Sequence, residues 1–260
     1  MKLKTPQTPA KPRQASIGKS TATEKPSRLR HRVDGGYARG DETRRRIIEA
    51  AIRLFGERGF EGTSTRGIAQ QAGVNAPALQ YYFDNKEGLY RACAEHIANN
   101  AVAHFSPALD RAQAALDTNA DRDTLIEIFG LIQDTTADHL FASNDIQDKR
   151  LFVAHEQAGH GPGILIDIMD QGLRARMTQV CATLIARITG VPADDPLTLL
   201  RMTTLHGQLM IFHFIPKSAL SALKWRDGID AERLALLKRT VREQTRILMN
   251  AWSAQSALPL

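Results

Sequence analysis

One stretch of the chain, residues 63–89, carries polar side chains whose types and spacing suit nucleic-acid recognition. Asn75 and Gln80 carry amides, of which that of Gln80 can pair with an adenine edge or with a phosphate, and the hydroxyl of Tyr81 can reach a phosphate oxygen. Small alanines stand between them, so a helix that carries these groups could lie close to a DNA groove. The predicted chemistry is sequence-specific binding of double-stranded DNA.

Two short helices must position these side chains. Ile68 and Ala72 belong to the apolar stripe of the first helix, and Gly73 can take the left-handed conformation that ends it. Asn75 is a favourable N-cap for the second helix, and Pro77 lies in its first turn, where a missing N–H costs little. Two helices joined by so tight a turn predict a helix-turn-helix, which places its second helix in the major groove. An ordinary helical hairpin is the alternative.

The positive charge of the chain lies at its N-terminus. The 260 residues have a formal net charge of +6, whereas residues 1–40 alone hold ten Lys or Arg and only two acidic residues. This segment is rich in Pro, Ser and Thr and has few large apolar residues, so we expect it to be disordered. Two roles stay open for the tail: a basic arm that adds salt-dependent affinity for DNA phosphates, or an extension that only improves solubility.

Other chemistry finds little support in the sequence. Cys93 and Cys181 form neither a metal-binding spacing nor a disulfide framework. His155 and His160 stand five residues apart, whereas a helical zinc site places its histidines at i and i+4. No nucleophile can be paired with a base, so we expect no catalytic residue, metal or cofactor. Neither a membrane-spanning run nor a signal-peptide core is present, which predicts a cytoplasmic protein without a membrane partner.

Helical periodicity organises the rest of the chain, and no period-2 run suggests a strand. A first helix is expected from Asp41 to Arg58, and a connecting helix begins near Lys86. Longer amphipathic stretches follow, and one of them runs from Ile164 to Ile188 after a glycine-rich hinge. The predicted fold is all-α, with a three-helix head that contains the helix-turn-helix and a C-terminal helical bundle.

The head resembles that of the TetR family of bacterial transcriptional regulators, over roughly Thr43 to Ile97. The matching features occur in the family's order: Ile48, Ala51, Leu54-Phe55, Gly59-Phe60, Thr63-Ser64, Ile68-Ala69, Ala72-Gly73-Val74, Tyr82-Phe83, Lys86-Glu87 and Leu89. The C-terminal half more loosely resembles the subgroup of this family that includes the cefoperazone-sensitivity regulator. Its matching segments are Leu89-Tyr90, His155-Glu156-Gln157 and Gly207-Gln208-Leu209-Met210.

The resemblance implies a homodimer that binds a palindromic operator and a small-molecule effector of unknown identity. The implied domains are the tail at 1–40, the DNA-binding head at 41–100, and a ligand-binding and dimerisation domain at 101–260. The residues implied to contact DNA are Thr63, Ser64, Thr65, Arg66, Asn75, Ala76, Ala78, Gln80, Tyr81, Tyr82 and Lys86. Within this set Ser64 would also cap the second helix, and Tyr82 is equally compatible with a place in the core. Gln80 departs from the tyrosine that the family commonly has at its position.

Apolar residues of the C-terminal half, with two histidines among them, indicate a mostly apolar effector with a few hydrogen-bonding groups. The expected ligand-binding residues are Phe129, Met169, Met177, His206, Phe212 and His213. The same residues could be nothing but core. The effector is expected to act by moving the helix that begins near Lys86, the only continuous link between head and body.

The last two helices predict a four-helix dimer interface, unless their apolar stripe covers only the core of their own subunit. The predicted function is therefore a ligand-responsive transcriptional repressor. The alternative is a helical small-molecule-binding or enzymatic domain for which the DNA-binding head is secondary.

Overall fold

Every regular element in the described part of the chain is a helix, which confirms the predicted all-α fold. The computed structural model describes residues 34–141, 146–214, 216–225 and 228–256. The head contains α1 (Asp34–Arg58), α2 (Thr65–Gln71) and α3 (Ala76–Tyr82). The helices of the body are α4 (Lys86–Asp117), α5 (Arg122–Phe141), α6 (Ile146–Gln157), α7 (Ile164–Met169), α8 (Ala175–Thr189), α9 (Pro196–Phe214), α10 (Pro216–Ala222) and α11 (Ala231–Ser256).

Helix α1 begins earlier than predicted, at Asp34 rather than Asp41. Residues 34–40 of the predicted disordered tail are therefore helical, whereas residues 1–33 lie outside the described residues. The glycines of this segment favour a loop, but each costs only about 1 kcal/mol inside a helix. Because an existing helix gains one hydrogen bond for each residue added, it can extend through them.

An aromatic cluster joins the head to the body. Phe55 of α1 makes an edge-to-face contact with Tyr90 of α4, with ring centroids 4.9 Å apart. The Tyr90 ring stacks on Phe152 of α6 at 4.5 Å, and Phe60 packs edge-on against Tyr90 at 5.1 Å. Phe55, Tyr90 and Phe152 are almost completely buried. The core of the head thus continues into α4 and α6.

Helix α4 extends from the head deep into the body. It passes through residue 101, where the predicted ligand-binding domain starts, and ends at Asp117. Pro107 lies inside the helix and removes one backbone hydrogen bond. Phe105, Leu109 and Ala112 are buried in the core of the body, and this burial offsets the lost bond. Head and body therefore share one continuous helix.

One segment of the body differs from its prediction, and a second, α6, is a helix that the sequence pattern does not predict. The pattern from Ile164 to Ile188 is divided, because α7 ends at Met169 and a π-helical turn precedes α8. A π-helical turn inserts a residue locally, which the apolar pattern does not reveal. Helix α6 has few large apolar residues and therefore only a weak helical pattern in the sequence.

The core of the body lies between α4, α5, α8 and α11. Phe129 and Ile132 of α5 meet Leu184 and Ile185 of α8, and all four side chains are completely buried. None of the described helices is both long and apolar enough to cross a membrane.

Candidate DNA-binding face and effector cavity

The helix-turn-helix is held by local hydrogen bonds at the places where the sequence predicts them. Ser64 caps α2, since its Oγ accepts a hydrogen bond from the Gly67 N–H at 3.1 Å. Gly73 has a φ of +65°, the left-handed conformation that ends a helix. Asn75 caps α3 by accepting a hydrogen bond from the Ala78 N–H at 2.8 Å. These contacts confirm the predicted turn chemistry and fix the direction of α3.

The front of α3 is turned to solvent. Asn75, Ala76 and Gln80 are exposed, and Ala78 is half-buried. Tyr81 is 85% exposed, which is unusual for a large aromatic side chain. The N-terminus of the recognition helix is therefore open to a ligand as large as a DNA duplex.

The start of α2 contributes a second set of predicted contacts on the head. Ser64 and Arg66 are exposed, and Thr65 is half-buried. The Arg66 guanidinium is a suitable group for a phosphate oxygen.

Thr63 does not belong to this exposed set. Its side chain is 3% exposed, and its hydroxyl donates hydrogen bonds to the carbonyl oxygens of Leu54 at 3.0 Å and Gly59 at 2.8 Å. A buried hydroxyl that is occupied by two carbonyls is not available to DNA. We therefore correct its predicted role to that of a residue that positions α2 against the end of α1.

Tyr82 and Lys86 are both half-buried at the rear of the helix-turn-helix. The Tyr82 ring packs against the core of the head, and its Oη lies near Gly40 of α1, where a Cβ would be in ordinary van der Waals contact at 3.7 Å. The Lys86 Nζ lies 4.3 Å from the centre of the Phe60 ring, a cation–π contact. Both side chains thus have partners within the head before any DNA is bound.

A cavity of about 410 Å³ lies in the body beneath the head. Its volume is within the range of pockets for drug-sized ligands. Helices α4, α5, α6, α7 and α9 all contribute to its wall. Of the six predicted ligand-binding residues, Met169 and His213 line this cavity.

The other four predicted ligand-binding residues lie elsewhere. Phe129 is 0% exposed in the core of the body, and Met177 packs against the same core. The His206 ring faces Phe129 at 6.1 Å, and its Nδ1 is 3.0 Å from the carbonyl oxygen of Met202. Phe212 packs against a separate apolar cluster. Helical periodicity identifies inward-facing residues, but it does not distinguish those that face empty space from those that face other side chains.

Several basic residues of the cavity were not predicted from the sequence. They are His104 on α4, His139 on α5, Lys149 and Arg150 on α6, and Arg174 after α7. The residues come from separate helices with no common motif, so only the fold brings them together. Burial, the nearby His104 and His213 rings and Lys149 lower the pKa of His139 to about 4.

The carboxylate of Glu156 anchors one wall of the cavity. It accepts a hydrogen bond from the Tyr90 hydroxyl at 2.7 Å and from the backbone N–H groups of Gly163 and Leu165, both at 3.1 Å. The side chain is 2% exposed. Glu156, which the sequence indicates only as part of the matching segment His155-Glu156-Gln157, therefore ties α4 to the start of α7 and the residues just before it.

Helix α6 forms a second connection between the cavity and the head. Arg53 of α1 pairs with Asp148 of α6, with Nε and Oδ2 3.0 Å apart. Gly56 permits the close approach of the two helices, since a Cβ there would lie 2.8 Å from the Asp148 carbonyl oxygen. The head and the cavity are therefore connected through α6 as well as through the continuous helix α4, because α6 lines the cavity and packs along α1.

Known proteins resemble this chain in both halves. The family model for bacterial regulatory proteins of the tetR family matches residues 47–93, and the model for the C-terminal domain of the HTH-type transcriptional dual regulator CecR matches residues 125–252. CecR of Shigella flexneri is 29% identical over 219 residues, which cover 84% of this chain and 96% of that protein. The HTH-type transcriptional regulator YttP of Bacillus subtilis is 36% identical over 86 residues, which cover 33% of this chain and 40% of that protein.

The fold is also found among solved structures. The crystal structure of AibR in complex with isovaleryl coenzyme A and operator DNA has a TM-score of 0.53 and 16% sequence identity. The superposition covers 78% of this chain and 97% of that chain. At this identity the likeness concerns the fold alone.

Proposed function

The chain belongs to the TetR family of bacterial regulatory proteins, and we propose that it is a homodimeric repressor that a small-molecule effector releases from a palindromic operator. Both matched family models describe transcriptional regulators, so an enzymatic domain with a secondary head is not supported. The proposed place of action is the cytoplasm, where bacterial DNA lies.

The exposed front of α3 is the observation that carries the proposal. Gln80 and Tyr81 project from α3, whose position is fixed by the Asn75 cap and by the buried Leu79. We assign Gln80 to base recognition, because its amide can pair with an adenine edge. Tyr81 is assigned to a phosphate oxygen, which positions the head without reading sequence.

Exposed aliphatic residues on α9 and α11 support a dimer. Leu200 and Ile211 of α9 are 62% and 48% exposed, and Leu236 and Ile247 of α11 are 43% and 61% exposed. The two residues of each pair stand 11 positions apart, which is about three helical turns and therefore one face. Burial of two such faces against a second copy would form the four-helix interface of the proposed homodimer.

Helices α4 and α6 can couple the effector cavity to the DNA-binding face of the head. Helices α4 and α6 line the cavity, and both pack against α1 through Phe55, Tyr90 and Phe152. A ligand that binds the cavity more tightly in one arrangement of α4 and α6 must shift the spacing of the heads. A typical coupling of about 1–3 kcal/mol weakens DNA binding roughly 5- to 150-fold.

Selection from a random DNA library with the full chain tests the proposal. We expect enrichment of an approximate palindrome whose half-sites are separated by about 34 Å, which is one turn of DNA, or by more. This spacing is needed for two recognition helices to enter major grooves on one face of the duplex. Ile247→Glu should separate the subunits and weaken binding to the selected duplex. Leu223→Glu, at an exposed position after α10, is the matched control. Enrichment of a single half-site, or no enrichment, would contradict the proposal.

A further inference from the structure

The lining of the cavity combines two chemically different sets of residues. Its apolar wall is formed by α4, α6 and α7, with Ile97, Val153, Leu165, Ile166 and Met169 among its residues. The second set is basic and combines side chains from α4, α5, α6 and α9. Such a division suits a ligand with an apolar body and one charged group.

The basic groups of the cavity lie close together. The rings of His104 and His139 have centroids 5.2 Å apart. Lys149 and His213 both lie close enough to lower the pKa of His139, and Arg150 lowers the pKa of His213 in the same way. The cluster therefore repels additional positive charge, and a bound negative charge would relieve that repulsion.

The carboxylates in the cavity wall are already occupied by other groups. Asp138 accepts two hydrogen bonds from the Lys238 ammonium, at 2.7 and 2.6 Å. Glu156 accepts hydrogen bonds from Tyr90 and from two backbone N–H groups. Within the part of the chain that the structure describes, Arg150 takes part in none of the ion pairs. Neither carboxylate of the wall thus neutralises the Arg150 guanidinium.

A metal ion fits this cluster less well than an anion does. A metal site requires several His, Cys or carboxylate ligands converging on one point. Among residues 34–141, 146–214, 216–225 and 228–256, no group of three such side chains has that arrangement. Lysine and arginine beside the histidines would also repel a cation.

We propose that the effector of this cavity is an amphipathic anion, whose aromatic or aliphatic body lies against α4, α6 and α7 and whose carboxylate- or sulfonate-type group lies beside Arg150, His104 and His139. The inference rests on the proposed function, because it names the ligand class of the same effector site. Arg150 provides the planar set of N–H donors that matches an oxyanion. The His139 imidazole provides one further N–H donor to the same group, whereas the His104 Nε2 faces the Thr135 carbonyl oxygen at 3.0 Å.

A pair of fluorescent probes tests the charge preference directly. The probes are 8-anilinonaphthalene-1-sulfonate and N-phenyl-1-naphthylamine, which share one aromatic skeleton and differ by the sulfonate. In fluorescence titrations of the full chain, Arg150→Gln should weaken binding of the sulfonate about tenfold, because a charge-assisted contact is lost. Binding of the neutral amine should change less than about twofold, since it makes no such contact.

Three further variants locate the effect. Arg150→Lys keeps the charge and should retain most of the sulfonate affinity. Arg122→Gln removes one positive charge from the exposed start of α5 and should leave both probes unchanged. Ile166→Trp narrows the cavity and should weaken both probes. Circular dichroism on each variant confirms that the helical fold is kept.

The outcomes separate this inference from the proposed function. Three results would each overturn the assignment of an anionic effector. They are an equal loss of affinity for both probes in Arg150→Gln, an unchanged affinity for the sulfonate in that variant, and unchanged affinities for both probes in Ile166→Trp. DNA selection with the same preparations tests the regulator independently. A chain that selects a palindrome but does not distinguish the probes remains a regulator with a different ligand class, whereas one that distinguishes them but selects no DNA is not the proposed repressor.

Discussion

The head and the body of this protein build their sites in different ways. In the head, the candidate DNA-binding face is formed within about 25 consecutive residues and is held by caps that bond three residues along the chain. In the body, the cavity is assembled from five helices, and its anchor joins Tyr90 to Glu156, 66 residues apart. Local contacts make the first site recognisable from sequence, whereas the second exists only once the helices have packed.

The largest expected effect comes from removing the long-range anchor of the body. Glu156→Leu leaves the buried Tyr90 hydroxyl, the buried Leu165 N–H and the half-buried Gly163 N–H without their acceptor, and each unsatisfied buried group costs about 1–3 kcal/mol. We expect a loss of about 3–5 kcal/mol in the free energy of unfolding, measured by urea denaturation. Ser64→Ala, which removes a local cap in the head, should cost only about 1 kcal/mol.

Comparable losses in these two variants would break the contrast between head and body. Glu156→Gln is the matched control, because its amide oxygen can still accept from some of the same donors. Its loss in the free energy of unfolding should lie between those of Glu156→Leu and Ser64→Ala.

Two substitutions on α3 should separate base reading from phosphate contact. Gln80→Ala should cost about 1–3 kcal/mol of binding on the preferred duplex and relax preference at one base position. Tyr81→Phe should weaken binding to all duplexes alike, since a phosphate contact carries no sequence information. Affinities for a panel of single-base variants of the selected duplex, measured at one salt concentration, distinguish the two patterns. A uniform loss for Gln80→Ala would show that the reading face is misplaced.

Thr63 should affect folding rather than recognition. Thr63→Val keeps the shape of the side chain but removes the donor to the Leu54 and Gly59 carbonyls, and we expect about 1–2 kcal/mol of lost stability by urea denaturation. Thr63→Ser keeps the donor and should lose less. If Thr63→Val instead keeps its stability and loses affinity for DNA, the positioning role is wrong.

The smallest expected effect concerns the dependence of stability on pH. The pKa of His139 is about 4 in the folded protein, against an ordinary value of 6.5. The folded state therefore binds fewer protons than the unfolded state between these values, so the stabilisation is present above pH 6.5 and is lost as the pH falls through 4. With allowance for partial exposure, we expect wild type to lose about 1 kcal/mol more than His139→Phe between pH 7 and 4.

Thermal unfolding at a series of pH values measures this difference, which corresponds to a few degrees in Tm. The phenyl ring preserves the packing against Phe105, whose ring centroid is 5.2 Å from that of His139. If the Tm of wild type and that of His139→Phe changed with pH in the same way, the pKa of His139 would not be lowered in the folded protein.

The sequence predicts the fold class, the helix-turn-helix and its caps, because each of these depends on residues that are neighbours along the chain. It does not predict Thr63 as buried, since the residue's hydroxyl is occupied by carbonyls at the end of the preceding helix. It also predicts Phe129 as a ligand-binding residue, although in the structure Phe129 lies in a buried core with Leu184 and Ile185 of α8. The basic cluster around His139 and Arg150 follows only from the packing of separate helices.

Equilibrium binding of the full chain to its selected duplex tests the central claim most directly, when an intact palindrome is compared with one whose second half-site is scrambled. A dimeric regulator with two recognition helices should bind the intact duplex at least about 100-fold more tightly, because half of its base contacts are otherwise lost. Equal affinity for the two duplexes at the same salt concentration would contradict the account.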